Sequence, residues 1–138
     1  KDIESFEACY VTRSYKTKHG DGHFYELDDS VRTAFNLYDR TNIHNEFQGT
    51  LRFGRIDRER LAYLINKDYE EFLEKACLHD CNMTKSLAVT HIDQTDEAVL
   101  EQCNNMTYFV HFNAETVIGG DKTYYSFGEK ASDVVEFN

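Results

Sequence analysis

The chain of 138 residues has 25 Asp and Glu against 15 Lys and Arg, a formal charge of −10, and 41% of its residues are hydrophobic. This length suits one domain over residues 1–138, and an apolar content that includes 10 Phe and 9 Tyr argues against disorder. The acidic balance argues against binding to nucleic acid or to an anionic membrane, and no apolar run reaches the ~20 residues of a membrane span.

Alternating side chains predict strands in the first third of the chain. Ser5–Tyr15 is predicted to be the first strand, and a glycine turn at 19–23 leads into a short second strand, His23–Asp28. Val31–Tyr38 alternates apolar and polar residues, a pattern typical of an antiparallel strand with one solvated face. The segment 47–53 repeats this alternation and suits a first helical segment equally well.

The longest helical pattern runs from Asp57 to Cys81. Its apolar residues recur every three or four positions, at Leu61, Ile65, Tyr69, Phe72, Leu73 and Ala76. Asp57 is a suitable N-cap, and Glu71 with Lys75 forms a favourable i,i+4 pair. The pattern predicts one long amphipathic helix over 57–81.

Most of the remaining chain is predicted to be strands, at Ser86–Ile92, Met106–Ile118, Thr123–Phe127 and Val134–Phe137. Thr95–Gln102 is predicted to be a short helix, and 119–122 has the composition of a hairpin turn. The predicted fold class is therefore α+β, with antiparallel β-sheet covered on one face by the long helix.

The four cysteines, an even number, predict two disulfides in an oxidising compartment. Cys77 and Cys81 lie one helical turn apart, where a direct bridge has poor geometry, so Cys9 is predicted to bond with one of them and Cys103 with the other. Such bridges would pin the C-terminal end of the helix to strands before and after it, and closing a loop of about 70 residues is worth about 4 kcal/mol.

A metal site is the alternative role for two of these cysteines. Cys77, His79 and Cys81 form a C-x-H-x-C cluster, but zinc ligands usually come as two paired elements and no second pair lies nearby. We therefore predict no metal and no cofactor.

Two glycosylation sequons start at Asn82 and Asn105. Both are predicted to be exposed, one just after the helix and the other just before a strand. Together with the predicted disulfides, they favour a secreted, extracellular glycoprotein.

Catalytic motifs are absent from the sequence: it has no G-x-S-x-G elbow, Walker loop, GxGxxG fingerprint or HExxH helix. His19 and His23 flank Asp21, and we interpret them as exposed turn residues rather than ligands or an acid–base pair. His91 and Asp93 lie at a strand end with no nucleophile beside them. We therefore predict that the protein is not an enzyme.

A local cluster of basic residues precedes and opens the long helix. It consists of Arg52, Arg55, Arg58 and Arg60. We interpret this cluster as a solvated, salt-bridged start of the helix.

Two segments between residues 20 and 65, GDGHFYELDDSVRTAFNL and EFQGTLRFGRIDRERLAYLI, carry a family resemblance. They contain a Gly-Asp turn, an aromatic strand, an E-x-Q-G-x-L segment and a helix opened by an Asp, a basic residue and a Leu. The matching positions are Gly20, Asp21, Phe24, Leu37, Gln48, Gly49, Leu51, Asp57, Arg58 and Leu61. In these features the chain resembles the membrane-distal α1 domain of class II major histocompatibility complex α chains.

The resemblance implies an immune-receptor interaction, and a bridge from the first strand to the helix would agree with some relatives of that family. In the family, helix asparagines hold the main chain of a bound peptide, whereas the aligned positions here are Phe53 and Arg60. The segment after Cys81 also lacks the core Trp and cysteine spacing of an immunoglobulin domain. The resemblance therefore implies a decoy or receptor-binding platform rather than conventional peptide presentation.

The predicted function is a secreted or cell-surface recognition module that binds another protein through exposed aromatic residues. The alternative is a carrier of a small hydrophobic or amine ligand, in an internal cavity lined by residues such as Phe109, Tyr125 and Phe127. A filled core with exposed aromatic residues would favour the first function. An enzyme would instead need a His and a carboxylate in one cleft.

Overall fold

The computed structural model describes residues 5–39, 41–76, 82–96, 98–103, 106–111 and 122–137. The side chains of residues 76, 102, 103, 106–111 and 137 are not described. The strands are β1 (Ser5–Arg13), β2 (Lys16–Lys18), β3 (Arg52–Gly54), β4 (Asn82–Thr90), β5 (Ala98–Cys103), β6 (Met106–His111), β7 (Lys122–Ser126) and β8 (Val134–Phe137). The helices are α1 (Asp29–Ala34) and α2 (Arg58–Ala76), and 3₁₀ turns lie at Ile92–Gln94 and Ala131–Asp133.

The largest sheet is mixed and has the strand order β1-β4-β7-β8. β1, β4 and β7 run parallel, with Tyr10 opposite Leu87 and Leu87 opposite Thr123, whereas β8 is antiparallel to β7. The prediction of an antiparallel sheet is therefore wrong for this sheet. The reason lies in the connection: the chain passes through α2 between β1 and β4, and such a crossover returns the second strand in the same direction. The smaller pairs β2–β3 and β5–β6 are antiparallel.

Helix α2 contacts the sheet through separate side chains and does not cover it. Ile65 is its only buried residue among those described. The Phe72 ring packs edge-on against Phe6 of β1 at 5.4 Å, and Asp68 accepts a hydrogen bond from the Tyr10 hydroxyl at 3.0 Å. The prediction of a long helix that covers the sheet is wrong, because polar residues such as Asp68 occupy much of the contact side. Residues 77–81 of the predicted helix lie outside the described residues.

Two shorter segments also differ from their predictions. Val31–Tyr38 was predicted to be a strand, but Asp29–Ala34 forms α1. Val31 in this helix and Phe35 at its C-cap pack one turn apart against the core. Thr95–Gln102 was predicted to be a helix, but Ala98–Cys103 forms β5, which pairs with β6. In both segments tertiary packing overrides a short local pattern.

The core consists of two clusters. The first contains Ile56, Ile65, Leu87, Val89, Ile92, Val99 and Tyr125. The second contains Tyr15, Leu27, Leu37, Leu51, Phe53 and Leu100. Tyr125 and Phe127, predicted to line a carrier cavity, pack into or against the first cluster, and the Phe109 side chain is not described. Both of these described side chains therefore contribute to the packing of the first core cluster.

The prediction of a disulfide-stapled fold is wrong. Among the described side chains there is no disulfide, and Cys9 is a free, exposed thiol. Phe6 and Tyr10 of β1 face α2, so alternation along the strand directs Cys9 to the opposite face of the sheet, away from the helix. Cys77 and Cys81 lie outside the described residues, as does the side chain of Cys103.

Candidate functional site

A pocket of about 520 Å³ lies at the carboxyl ends of the parallel strands. We call it the polar pocket; its lining residues are Arg13, Tyr15, Phe35, Asn36, Tyr38, Asp39, Thr41, His91, Gln94 and Glu129. They come from the end of β1, the loop after α1, the turn after β4 and the loop after β7. In parallel sheets, ligands commonly bind in the crevice outside the carboxyl ends of the strands, because the loops that follow several strands meet there.

His91 is held in a left-handed backbone conformation at the wall of this pocket, with φ 62° and ψ 27°. Its carbonyl oxygen accepts hydrogen bonds from the Ser14 hydroxyl at 2.9 Å and from the Gln94 N–H at 3.2 Å. The imidazole lies edge-on to the Tyr15 ring at 5.9 Å. Asn36, which also lines the pocket, has a φ of 48°. Non-glycine residues in this conformation are uncommon and concentrate at functional sites.

The hydrogen bonds around His91 determine which of its ring nitrogens is available to accept a hydrogen bond from a ligand. The Thr90 hydroxyl donates to the Thr12 carbonyl oxygen at 3.2 Å and lies 2.8 Å from His91 Nδ1. Because the hydroxyl proton is already used, Thr90 Oγ1 accepts from Nδ1–H, which assigns the lone pair to Nε2. Burial, and then the nearby Arg13 charge, lower the pKa of His91. His91 is therefore neutral at neutral pH, with Nε2 as a hydrogen-bond acceptor.

The charges of the polar pocket are two carboxylates and one guanidinium. Asp39 accepts hydrogen bonds from the Thr41 hydroxyl at 2.7 Å, from the Thr41 N–H at 2.9 Å and from the Asn42 side-chain amide at 2.7 Å. These bonds, the Thr41 hydroxyl first, hold the pKa of Asp39 well below its usual range. Asp39 thus stays ionised, and with Glu129 it outweighs the positive charge of Arg13.

Tyr15 and Gln94 fix the inner part of the pocket. The Tyr15 side chain is buried, and its hydroxyl donates to Gln94 Oε1 at 2.6 Å. Burial also raises the pKa of Tyr15, so its hydroxyl stays protonated and remains a donor. This bond orients the Gln94 amide, with its oxygen toward Tyr15.

Most of the histidines singled out from the sequence lie elsewhere. His19 contacts the Asn42 side chain at 3.2 Å, and His23 packs edge-on against Tyr25 at 4.8 Å. Among the described residues, no group of three His, Cys, Asp or Glu is arranged to hold a metal ion. Of the residues that line the polar pocket, only His91 was considered from the sequence as a candidate functional residue, because of its position at a strand end.

Asn82 and the four arginines of the basic cluster do not line the polar pocket. Asn82 is exposed at the start of β4, whereas Asn105 lies outside the described residues. Arg52 pairs with Glu26, and Arg58 pairs with Glu101, as expected for a salt-bridged helix start. Arg55 and Arg60 instead line a second pocket.

Comparisons with protein-family models, with curated protein sequences and with solved structures found no match. The resemblance to a class II α1 domain therefore stays a prediction. Neither α1 nor α2 is long and apolar enough to cross a membrane.

Replacing His91 with asparagine is expected to reduce the loss of stability on acidification. The folded-state pKa of His91 lies below the unfolded value of about 6.5, so the unfolded state binds more protons. Stability is therefore lost as pH falls through about 6.5 toward the lowered folded pKa, and the loss is complete below it. Asparagine tolerates the left-handed conformation but does not titrate. Urea denaturation at pH values between about 5 and 7.5 measures the difference.

His44→Asn is the matched control, because His44 is exposed, lies outside the polar pocket and contacts the Thr50 hydroxyl at 3.0 Å. This variant is expected to keep the pH dependence of the unmodified chain. An equal reduction in the pH dependence of stability in both variants would contradict the role assigned to His91.

Proposed function

We propose that this protein is a non-enzymatic binding protein that holds a small organic amine in the polar pocket. The observation that carries the proposal is the convergence of a neutral His91 with the carboxylates of Asp39 and Glu129 in one pocket. An ammonium group is a hydrogen-bond donor and a cation, so it satisfies both the Nε2 acceptor and the negative balance of charge.

The aromatic residues of the pocket support an amine with an apolar or aromatic body. Tyr15, Phe35 and Tyr38 supply ring surface, and a cation over such a ring gains about 0.5–2 kcal/mol. The volume of about 520 Å³ falls in the range of ~300–1,000 Å³ that is typical of small-molecule pockets. This proposal keeps the predicted amine ligand but places it at the carboxyl ends of the parallel strands instead of beside Tyr125 and Phe127.

A His and carboxylates in one cleft also meet the minimum requirement stated above for an enzyme, but the hydrogen bonds of His91 favour binding. A general base is normally bonded to a nucleophile and oriented by a further group. Here the Thr90 hydroxyl, which contacts His91 Nδ1, donates its hydrogen bond to the Thr12 carbonyl oxygen. No hydrogen bond joins the His91 ring to a carboxylate among the described residues. The arrangement supports an acceptor for a ligand rather than an acid–base pair.

Isothermal titration calorimetry with phenethylamine and 3-phenylpropionate tests the proposal. The two probes share a phenyl ring and a two-carbon linker but carry opposite charges. We expect the amine to bind and the carboxylate to bind at least tenfold more weakly. Equal affinities, or tighter binding of the carboxylate, would overturn the proposal.

Glu129→Gln should weaken phenethylamine binding roughly tenfold, since a charge-assisted hydrogen bond is worth about 1.5–3 kcal/mol. Glu70→Gln on the exposed face of α2 is the matched control and should leave the affinity unchanged. An unchanged affinity in Glu129→Gln would remove this carboxylate from the site.

Protein recognition is the second candidate function, and a groove between β1 and α2 supports it. The groove joins two pockets of about 460 and 340 Å³ that share Tyr10 and Asp68. Leu64 and Phe72 line it and are 48% and 41% exposed, and β1 lies at an edge of its sheet in the described part of the chain. An extended segment of a partner protein could pair with such an edge and place apolar side chains in the groove.

A pull-down from extracellular and cell-surface extracts, followed by mass spectrometry, tests the second function. A protein recovered by the unmodified chain and lost with Phe72→Glu would support it. Tyr63→Glu is the control, because Tyr63 is also on α2 and exposed but does not line the groove. Equal recovery by all three chains would count against the groove.

We also propose that the protein is extracellular and glycosylated at Asn82. The sequon and the exposure of Asn82 support this location. Expression through a eukaryotic secretory pathway should give a product whose mass falls on glycosidase treatment, and Asn82→Gln should reduce that change. A secreted chain without any glycan would contradict the proposed modification.

A further inference from the structure

A second pocket, of about 360 Å³, lies at the N-terminal end of α2, and we call it the basic pocket. Its lining residues are Lys16, His23, Phe24, Tyr25, Arg55, Asp57 and Arg60. They come from β2, the loop that follows it, the end of β3 and the first turn of α2. None of them lines the polar pocket, so the two sites can be tested separately.

The basic pocket gathers positive charge in a chain with a formal charge of −10. Three cationic side chains, Lys16, Arg55 and Arg60, face one carboxylate, that of Asp57. Asp57 Oδ1 is already used to cap the helix, since it accepts the Arg60 N–H at 2.9 Å. The start of α2 adds the positive end of the helix dipole to the same region.

Two neighbouring arginines outside the basic pocket are each paired with a carboxylate. Arg52 is neutralised by Glu26, and Arg58 is neutralised by Glu101. By contrast, neither Lys16 nor Arg60 forms an ion pair with a carboxylate among the described residues. The charges of Lys16 and Arg60 are therefore not cancelled by an ion pair within the described part of the chain.

One wall of the basic pocket is aromatic and is held in place by close packing. Phe24 packs directly against Gly54, where an added Cβ would clash with the ring. Arg52 lies over the Phe24 ring at 5.2 Å, and the Arg55 N–H donates to the Tyr25 carbonyl oxygen at 2.7 Å. The wall thus presents a preformed apolar surface beside the cationic groups.

We propose that the basic pocket binds a small organic dianion, a phosphate monoester of an aromatic alcohol. Lys16 and Arg60 together supply two positive charges, which match a phosphate monoester of about −1.5 to −2 charge at neutral pH. Guanidinium groups bind phosphate oxygens through paired hydrogen bonds, and the aromatic wall accepts the ring. This site is additional to the proposed amine site and does not depend on it.

Calorimetric titration of the full chain with phenyl phosphate tests the proposal, with inorganic phosphate and benzoate as comparison probes. Phenyl phosphate should bind most tightly, benzoate at least tenfold more weakly because of its single charge, and inorganic phosphate more weakly because it lacks the ring. Raising the salt concentration should weaken all three, since the attraction is electrostatic. Absence of binding by phenyl phosphate at millimolar concentration would overturn the proposal, and so would benzoate of equal affinity.

Arg60→Gln should lower the affinity for phenyl phosphate roughly tenfold. Arg60 is exposed, so the variant should unfold at the same urea concentration as the unmodified chain. Arg32→Gln, on α1 and outside both pockets, is the matched control and should leave the affinity unchanged. Glu129→Gln should also leave it unchanged, which separates this site from the amine site. Equal affinities in Arg60→Gln and the unmodified chain would overturn the assignment of the site.

Discussion

Arg58→Ala is expected to destabilise the protein by about 3–5 kcal/mol, because it leaves a buried carboxylate without its partner. Glu101 Oε1 accepts hydrogen bonds from Arg58 Nε at 2.9 Å and from Arg58 Nη2 at 2.6 Å, and only 9% of the Glu101 side chain is exposed. The pair joins the start of α2 to β5, two elements that are far apart in sequence. Urea denaturation followed by circular dichroism measures the change in the free energy of unfolding.

The control for this prediction is an exposed pair of an arginine and a carboxylate. Arg32 contacts Asp29 at 3.0 Å, but the Asp29 side chain is 91% exposed, so Arg32→Ala should cost less than about 1 kcal/mol. Adding Glu101→Gln to Arg58→Ala should recover part of the lost stability, since a neutral amide is less costly to bury than a carboxylate. Equal effects of Arg58→Ala and Arg32→Ala would show that burial of Glu101 is not the cause.

The positions of several strands follow from local alternation. Val134–Phe137 forms β8 as predicted, and the first strand is found at Ser5–Arg13 within the predicted Ser5–Tyr15. Asp57 was also predicted to cap the long helix, and its bond to the Arg60 N–H confirms this. These features depend on neighbours along the chain, which a sequence pattern records directly.

The relative direction of the strands could not be predicted from local alternation. Whether β1 and β4 run parallel depends on how the chain returns after α2, and alternation is the same in both arrangements. The segment that forms α1 gave a further error, because four alternating pairs also place Val31 and Phe35 one helical turn apart. A period-2 pattern this short therefore does not exclude a helix.

The polar pocket was missed as a consequence of the strand directions. Arg13 is the last residue of β1, His91 follows β4 and Glu129 follows β7, and these residues are separated by several tens of positions in the sequence. In the predicted antiparallel sheet, the carboxyl ends of neighbouring strands would have been at opposite edges of the sheet. Only the parallel arrangement brings these three residues to one edge, so the site could not be assembled until the topology was known.

Leu87→Ala is expected to destabilise the protein by about 2–5 kcal/mol through the cavity it creates. Leu87 is completely buried in the first core cluster, on the central strand β4 between β1 and β7. Because strands pack against it on both sides, the surrounding side chains have little freedom to move into the space that is left. Urea denaturation gives the change in unfolding free energy, and a crystal structure of the variant would give the volume of the cavity.

Leu64→Ala is the matched control, since it removes the same atoms from a leucine that is 48% exposed on α2. It should change the unfolding free energy by less than about 1 kcal/mol. Comparing the unfolding free energies of the two variants therefore distinguishes the core from the groove, because Leu64 lines the β1–α2 groove and Leu87 belongs to the first core cluster. A large loss in Leu64→Ala and a small loss in Leu87→Ala would mean that α2, rather than the parallel sheet, carries most of the stability of the fold.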